Sequence, residues 1–238
     1  MAITTKTLDY SADGITCEGY LALPEGAPAK LVLVAHAWGG QGDNERSKAD
    51  RIAAELGYAA FCMDVYGKGK RGESVEECQA LMTPLVEDRA KLQARLNAAV
   101  EFSKTIEGVD TSQRAAAGYC FGGLSVLDMA RAGMDVAGVA SFHGLFTAPD
   151  NLAGPKISAK VVVFHGWDDP MAEPDAVLGL AKEMSAAGAD WQLHAYGNTM
   201  HAFTTEGANN PDFGTVYDAT ADTRSWASLK LFLEEVLG

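Results

Sequence analysis

From residue 31 onward the chain alternates between short, uninterrupted apolar runs and longer segments whose apolar residues recur every three or four positions. "LVLVAHA" (31–37) opens the series, followed by "YAAFCMDVYG", "RAAAGYC", "VAGVASFHG", "KVVVFHGWDD" and "DWQLHAYG". A run that is apolar at every residue suits a strand covered on both faces, because successive side chains point to opposite sides. The intervening segments read as helices. In "DNERSKADRIAAELG", Ala49, Ile52, Ala53 and Leu56 share one face, Asp43 or Asn44 can cap the start, and Gly57 can end it. Residues 74–106 read as a long helical stretch interrupted near Pro84. "GGLSVLDMARAG" closes at Gly133, "EPDAVLGLAKEMSAAG" is the next helix, and "ADTRSWASLKLFLEEVL" places Trp226, Leu229, Leu233 and Val236 together. This alternation calls for an α/β fold, a mostly parallel central sheet with helices on both faces. The opening "TLDYSADGITCEGYLALPEG" reads as two strands turning at Asp13-Gly14, which adds antiparallel N-terminal edge strands. No linker or repeat breaks residues 1–238, so one domain is expected.

The formal charge of −13 argues against nucleic acid or an anionic membrane surface as the main partner, since both reward basic patches. No signal-like leader or membrane-length apolar run is read in the sequence, and a cytoplasmic location is expected. Cys17, Cys62, Cys78 and Cys120 are scattered without metal-ligand spacing, so free thiols and no metal are expected.

In sheets of this kind, reactive residues gather beyond the carboxyl ends of strands. Three such ends carry chemistry. In "AAAGYCFGGLS", Gly118-Tyr119-Cys120-Phe121-Gly122 is a G-x-[nucleophile]-x-G elbow between a strand and a helix. Side chains at the flanking positions would collide with strand or helix, and the helix N-terminus favours a thiolate. A small buried cysteine in a tight turn fits the same five residues. In "FHGWDDP" two acids follow a strand, and the H-G-x-x-D spacing selects Asp169, leaving Asp168 as a structural neighbour. In "YGNTMHAFT", His201 follows the last strand, whereas His143, His165 and His194 fall within strand readings and are expected in the core or on the sheet face. Nucleophile, acid, then histidine is the chain order of the α/β-hydrolase triad. "AHAWGG" (35–40) ends an early strand, where the amide of Ala37, or of its neighbour Trp38, can join that of Phe121 as an oxyanion donor.

With "GYCFGG", "FHGWDDP", "HAFT", "MDVYG" and the closing "DATADTRSWASLKLFLEEVL", the sequence resembles the dienelactone hydrolase family of α/β-hydrolases over nearly its whole length. The resemblance implies a hydrolase with no metal or organic cofactor, using a Cys–His–Asp triad on an ester or lactone. It also exposes departures. His36 occupies the slot of a glutamate thought to switch the cysteine on. Thr205 stands where an arginine engages the substrate carboxylate, and Glu77 or Cys78 falls roughly where a second arginine is expected.

Cys120 is therefore expected to attack a carbonyl carbon, with His201 as general base and Asp169 orienting it, and water then releases the acyl group. His36, Trp38, Tyr66, Phe142 and Trp167 lie at or near strand ends and are candidates for an acyl pocket. Lys68, Lys70 and Arg71 in "GKGKRG" would supply any contact to an anionic substrate, and a solvated loop is the plainer reading of them. The rivals are thioester cleavage at the same site, a degenerate binding or regulatory protein, and a redox thiol partnered by Cys62 or Cys78. The partner expected is a small ester or lactone, and the assembly a monomer or small homo-oligomer.

Overall fold

The computed structural model describes residues 1–26, 28–152 and 156–238. Eight strands form one sheet: β1 (Ile3–Ala12), β2 (Ile15–Pro24), β3 (Ala29–Ala35), β4 (Ala59–Met63), β5 (Val109–Tyr119), β6 (Gly138–Phe142), β7 (Lys160–Gly166) and β8 (Trp191–Tyr196). Their order is β1-β2-β4-β3-β5-β6-β7-β8. β1 and β2 pair antiparallel, β2 runs antiparallel to β4, and the remaining pairs are parallel. Asp13 and Gly14 both take positive φ, 48° and 75°, as a two-residue hairpin between right-twisted strands requires.

The apolar runs supply both faces. In β3, Leu31, Leu33 and Ala35 enter one core with Leu92, Leu96, Leu124 and Leu180, while Val32 and Val34 enter the other with Ile52, Ala53, Leu229 and Leu233. The first core lies under α2 (Val75–Glu87), α3 (Arg89–Ser103), α4 (Phe121–Arg131) and α5 (Pro174–Ala186). The second lies under α1 (Asp43–Arg51), the wider turn that continues it (Ile52–Leu56), and α6 (Ala219–Leu237).

Several boundaries differ from expectation. The long helical stretch breaks at Asp88, not Pro84. Pro84 sits inside α2, while Asp88 leaves helical geometry (φ −115°, ψ 79°) and its carboxylate accepts from the Lys91 amide, capping α3. α1 is capped one residue earlier than expected, at Gly42, whose N–H donates to Glu45 Oε2 at 3.1 Å. Gly57 ends the following turn at φ 77°. Trp226 is only half-buried on α6: its Nε1 donates to the exposed Glu55, and the Arg51 guanidinium lies 3.9 Å over its ring. A two-stranded ribbon, β9 (Asn209–Asn210) and β10 (Thr215–Val216), precedes α6 and has no counterpart in the sequence reading. No helix among the described residues is long and apolar enough to cross a membrane.

Candidate active site

The turn at Cys120 is a strained one. Cys120 holds φ 57° and ψ −116° at the N-terminus of α4, and its amide bonds the Phe142 carbonyl at 3.0 Å. The glycines around it are forced by close backbone. A Cβ on Gly118 would lie 2.0 Å from the Gly122 carbonyl oxygen, one on Gly122 2.2 Å from that of Ala35, and one on Gly123 2.7 Å from Gly144 Cα. β5 and the start of α4 therefore press on one another and on the end of β3, lifting Cys120 out at the strand ends.

The acid and the histidine are brought together by the β7 and β8 ends. Gly166 lets the two loops touch: a Cβ there would stand 2.5 Å from the Thr199 carbonyl oxygen. Trp167 and Asp168 donate their amides across the gap to the Tyr196 and Thr199 carbonyls, at 2.8 and 2.9 Å. This zipper turns Asp169 inward, where Oδ1 accepts from the Met171 amide at 2.8 Å and Oδ2 meets His201 Nδ1 at 2.7 Å. Asp168 is exposed and makes no contact with the histidine. Both Asp169 and His201 are 2% exposed, and His201 Nε2 is buried with no hydrogen-bond partner in the resting geometry. Burial alone pushes the His201 imidazole down. The charge of the nearby Cys120, the hydrogen bond to Asp169 and the charge of Asp169 outweigh it and raise the imidazole to about 10. A histidine poised between a carboxylate and a thiol is thus built to carry a proton.

One residue of this cluster escaped the sequence reading. His143, expected in the core, sits at the end of β6 with φ 37°, its ring edge-on to that of His201 at 5.0 Å. Its Nδ1 accepts from the Cys120 amide at 3.2 Å and its Nε2 pairs with Thr204 Oγ1 at 2.9 Å, while Lys48 Nζ donates to the Thr204 carbonyl at 2.7 Å. Those bonds assign Nδ1 as acceptor and Nε2–H as donor. Burial, then the neighbouring His201, holds His143 well below the ordinary imidazole range, so it stays neutral. Among the described residues, four of the five non-glycine residues with positive φ, Cys120, His143, Asn198 and Ala202, lie in these strand-end loops.

Cys120 and His201 open into a cavity of about 1030 Å³, walled by the 37–45 loop, the start of α2 and the 205–215 segment. Trp38 lines it, its ring stacked on Phe213 at 5.8 Å. The other four residues expected there do not. His36 is 2% exposed, with Nδ1 on the Ala37 carbonyl and Nε2 accepting from the Val65 amide, so its ring is spent on backbone. Tyr66 packs between His36 and Phe121 with its hydroxyl on the Trp38 carbonyl. Phe142 stacks between Tyr119 and Phe164 within the sheet layer, and Trp167 is 42% exposed. Tyr119, His143, Leu145, Met82 and Met171 take their places in the wall.

Of the amides expected to receive an oxyanion, two are open and one is engaged. The Phe121 amide, at the start of α4, makes no hydrogen bond among the described residues. The Ala37 amide, however, donates to Glu45 Oε1 at 3.2 Å, whereas that of Trp38 is unpaired among the described residues. Lys68 is ion-paired to Asp9 and Glu18 away from the cavity, and Arg71 alone of that loop's bases lines it. Among the remaining thiols, Cys62 is wholly buried in the α1–α6 core and Cys78 lines the cavity; burial raises both. No cluster of three or more His, Cys, Asp or Glu side chains is placed to hold a metal among the described residues.

The geometry has clear relatives. The family model described as the dienelactone hydrolase family matches residues 17–237. The solved structure titled "m3DLH" superposes with a TM-score of 0.94 at 30% identity, each chain fully covered. A dienelactone hydrolase-like promiscuous phosphotriesterase, P91, from metagenomic libraries gives 0.92 at 31% identity with the same coverage. A protein of Aquifex aeolicus described as a putative carboxymethylenebutenolidase is 28% identical over 226 residues, 93% of this chain and 94% of that one. With the matched family spanning both cores and all three strand-end loops, the chain belongs to the dienelactone hydrolase family and is a hydrolase of ester bonds with the α/β-hydrolase fold.

Proposed function

We propose that this protein hydrolyses a small ester or lactone through a cysteine nucleophile and a thioester intermediate. The observation that carries the reading is the buried Asp169–His201 pair, 2.7 Å apart, whose free Nε2 lies in the same cavity as Cys120 on its strained turn. His201 holds the proton given up by the Cys120 thiol, the sulfur attacks the carbonyl carbon, and the negative charge moves to the carbonyl oxygen. The N–H of Phe121 and one from the 37–38 turn receive that oxygen, each such donor contributing on the order of 3 kcal/mol to the transition state. His201 then protonates the departing alkoxide. In the second half it deprotonates water, which attacks the thioester and restores the thiol. Asp169 keeps Nδ1 protonated, so that Nε2 is free to accept. The same cavity suits the site of a single compact hydrolase domain without a metal.

The likeness to the P91 phosphotriesterase favours a second activity at the same residues, attack of the Cys120 sulfur on the phosphorus of a neutral triester with loss of its aryloxide, followed by attack of water on phosphorus that frees the thiol. Turnover of p-nitrophenyl acetate and of paraoxon by wild type, Cys120→Ala and His201→Ala tests both. Ester turnover should vanish in each variant, and undiminished rates in Cys120→Ala would overturn the nucleophile.

A further inference from the structure

The cavity wall carries charge mainly of one sign. Asp43, Glu73 and Asp212 stand exposed in it, and Glu45 is buried in it at 3% exposure. Among the described residues the one lysine or arginine that lines it, Arg71, turns Nε and Nη2 to the carbonyl and side-chain oxygens of Gln41. Glu45 pairs with no Lys, Arg or His among the described residues. Instead three N–H groups converge on its two oxygens: Ala37 and Asn44 Nδ2 on Oε1, each at 3.2 Å, and Gly42 on Oε2 at 3.1 Å. Both oxygens act as acceptors, as those of a carboxylate do, and one of them sits on an amide of the turn that faces the developing oxyanion.

Resting on the acyl-transfer reading above, we propose that the site selects uncharged or cationic esters, and that Glu45 is the residue that excludes substrates bearing a carboxylate. The two sets of acids act differently. Charges on the exposed rim are screened beyond roughly 8 Å at physiological salt, so they slow the approach of anions only when salt is low. Glu45 is shielded from that screening. A substrate carboxylate entering beside it loses water and meets a like charge, while Nε and Nη2 of Arg71 are already engaged by Gln41. An apolar substrate meets no such obstacle, because Trp38, Phe213, Met82 and Met171 offer it stacking and dispersion contacts.

The test compares three p-nitrophenyl esters of similar length: the pentanoate, the glutarate half-ester and 4-(trimethylammonio)butanoate. Each is assayed with wild type, Glu45→Gln and Cys120→Ala. Wild-type kcat/KM for the pentanoate should exceed that for the half-ester by about a hundredfold, and Glu45→Gln should narrow the ratio to about tenfold or less. A general loss of activity cancels in the ratio. Wild type alone supplies a second measurement, since the ratio should survive a rise from about 50 mM to about 0.5 M salt, which collapses rim effects. Equal or better use of the half-ester by wild type overturns the proposal. So does a ratio unchanged in Glu45→Gln or abolished by salt, which would assign the discrimination to the rim. Failure of all three esters to be turned over faster than by Cys120→Ala overturns the acyl-transfer reading instead.

Discussion

Replacing Asp169 by Asn separates an orienting carboxylate from a mere turn former. In the native geometry Oδ1 is committed to the Met171 amide and Oδ2 to His201 Nδ1. Asparagine keeps an oxygen for Met171 and turns its NH2 toward Nδ1. Nδ1 must then accept, which moves the ring proton to Nε2, the position that has to take a proton from Cys120. The variant holds the wrong tautomer in a well-formed site. An equivalent change in a Ser–His–Asp triad costs about 10⁴-fold in kcat, and a loss of that order is expected here. The electrostatic side points the same way. Burial opposes the imidazolium, and the Cys120 and Asp169 contributions raise it from its ordinary 6.5 to about 10. That difference corresponds to roughly 5 kcal/mol in favour of the charged ring, a substantial part of it from Asp169.

Two measurements follow. By heteronuclear NMR of the imidazole, the His201 midpoint should fall well below its wild-type value in Asp169→Asn. Stability should show the linked effect. A histidine raised in the folded state contributes its full stabilisation below about 6.5 and loses it as pH climbs toward about 10. The urea midpoint of wild type should therefore decline across that window more steeply than that of Asp169→Asn. A loss of kcat/KM under tenfold, with an unmoved His201 titration, would refute the reasoning and leave Asp169 as a support for the 166–172 turn.

Two further substitutions probe the scaffold. Gly122→Ala places a methyl 2.2 Å from the Ala35 carbonyl oxygen and should abolish esterase activity with a large drop in Tm, whereas Gly179→Ala, with open space on α5, should raise stability by about 0.5–1 kcal/mol in urea titration. Asp128 is 0% exposed and accepts from both Arg89 and Arg131, at 2.7 Å from Arg89 Nε and 3.3 Å from Arg131 Nη1; Asp128→Ala leaves the buried Arg89 guanidinium without its acid, while Arg131 keeps Glu183, and should cost about 3 kcal/mol by chemical denaturation.

What could be read from the sequence is what the backbone itself dictates. "LVLVA" must be apolar throughout because β3 is covered on both faces, and the glycines of "GYCFGG" and the glycine of "HGWDD" are compelled by backbone atoms nearer than any Cβ could tolerate. Those are local demands, so local sequence records them, and the three strand ends with their triad candidates follow. The break at Asp88 was obscured because proline is a louder signal than an aspartate cap, yet the carboxylate on the Lys91 amide decides where α3 begins. His143 is obscured because the strand reading runs to Gly144, two residues too far: β6 ends at Phe142, and the next residue, at φ 37°, is swung toward Cys120. The aromatic lining failed for a related reason. Lying near a strand end does not say which way a side chain points, and Phe142 points into the sheet layer while His36 turns to backbone.

The cavity wall is the least local part of the molecule, assembled from α2, the 37–45 loop and the 205–215 segment, which meet only once the sheet has closed. Glu45 shows why such a wall resists reading from one sequence. Three residues after Gly42 at the start of a helix, an acid is fully accounted for as a cap, and its bond to the Gly42 amide is that cap. Only the fold reveals that its other oxygen lies on the Ala37 amide, in the turn proposed to receive the oxyanion. The two roles are coupled. Holding Gly42 and Ala37 with one carboxylate ties the α1 N-terminus to the end of β3, so the charge that shapes substrate choice also fixes the loop on which the oxyanion turn is built. An acid in that position costs the enzyme anionic substrates and secures the turn, and a glutamine retains one hydrogen-bond acceptor while removing the charge.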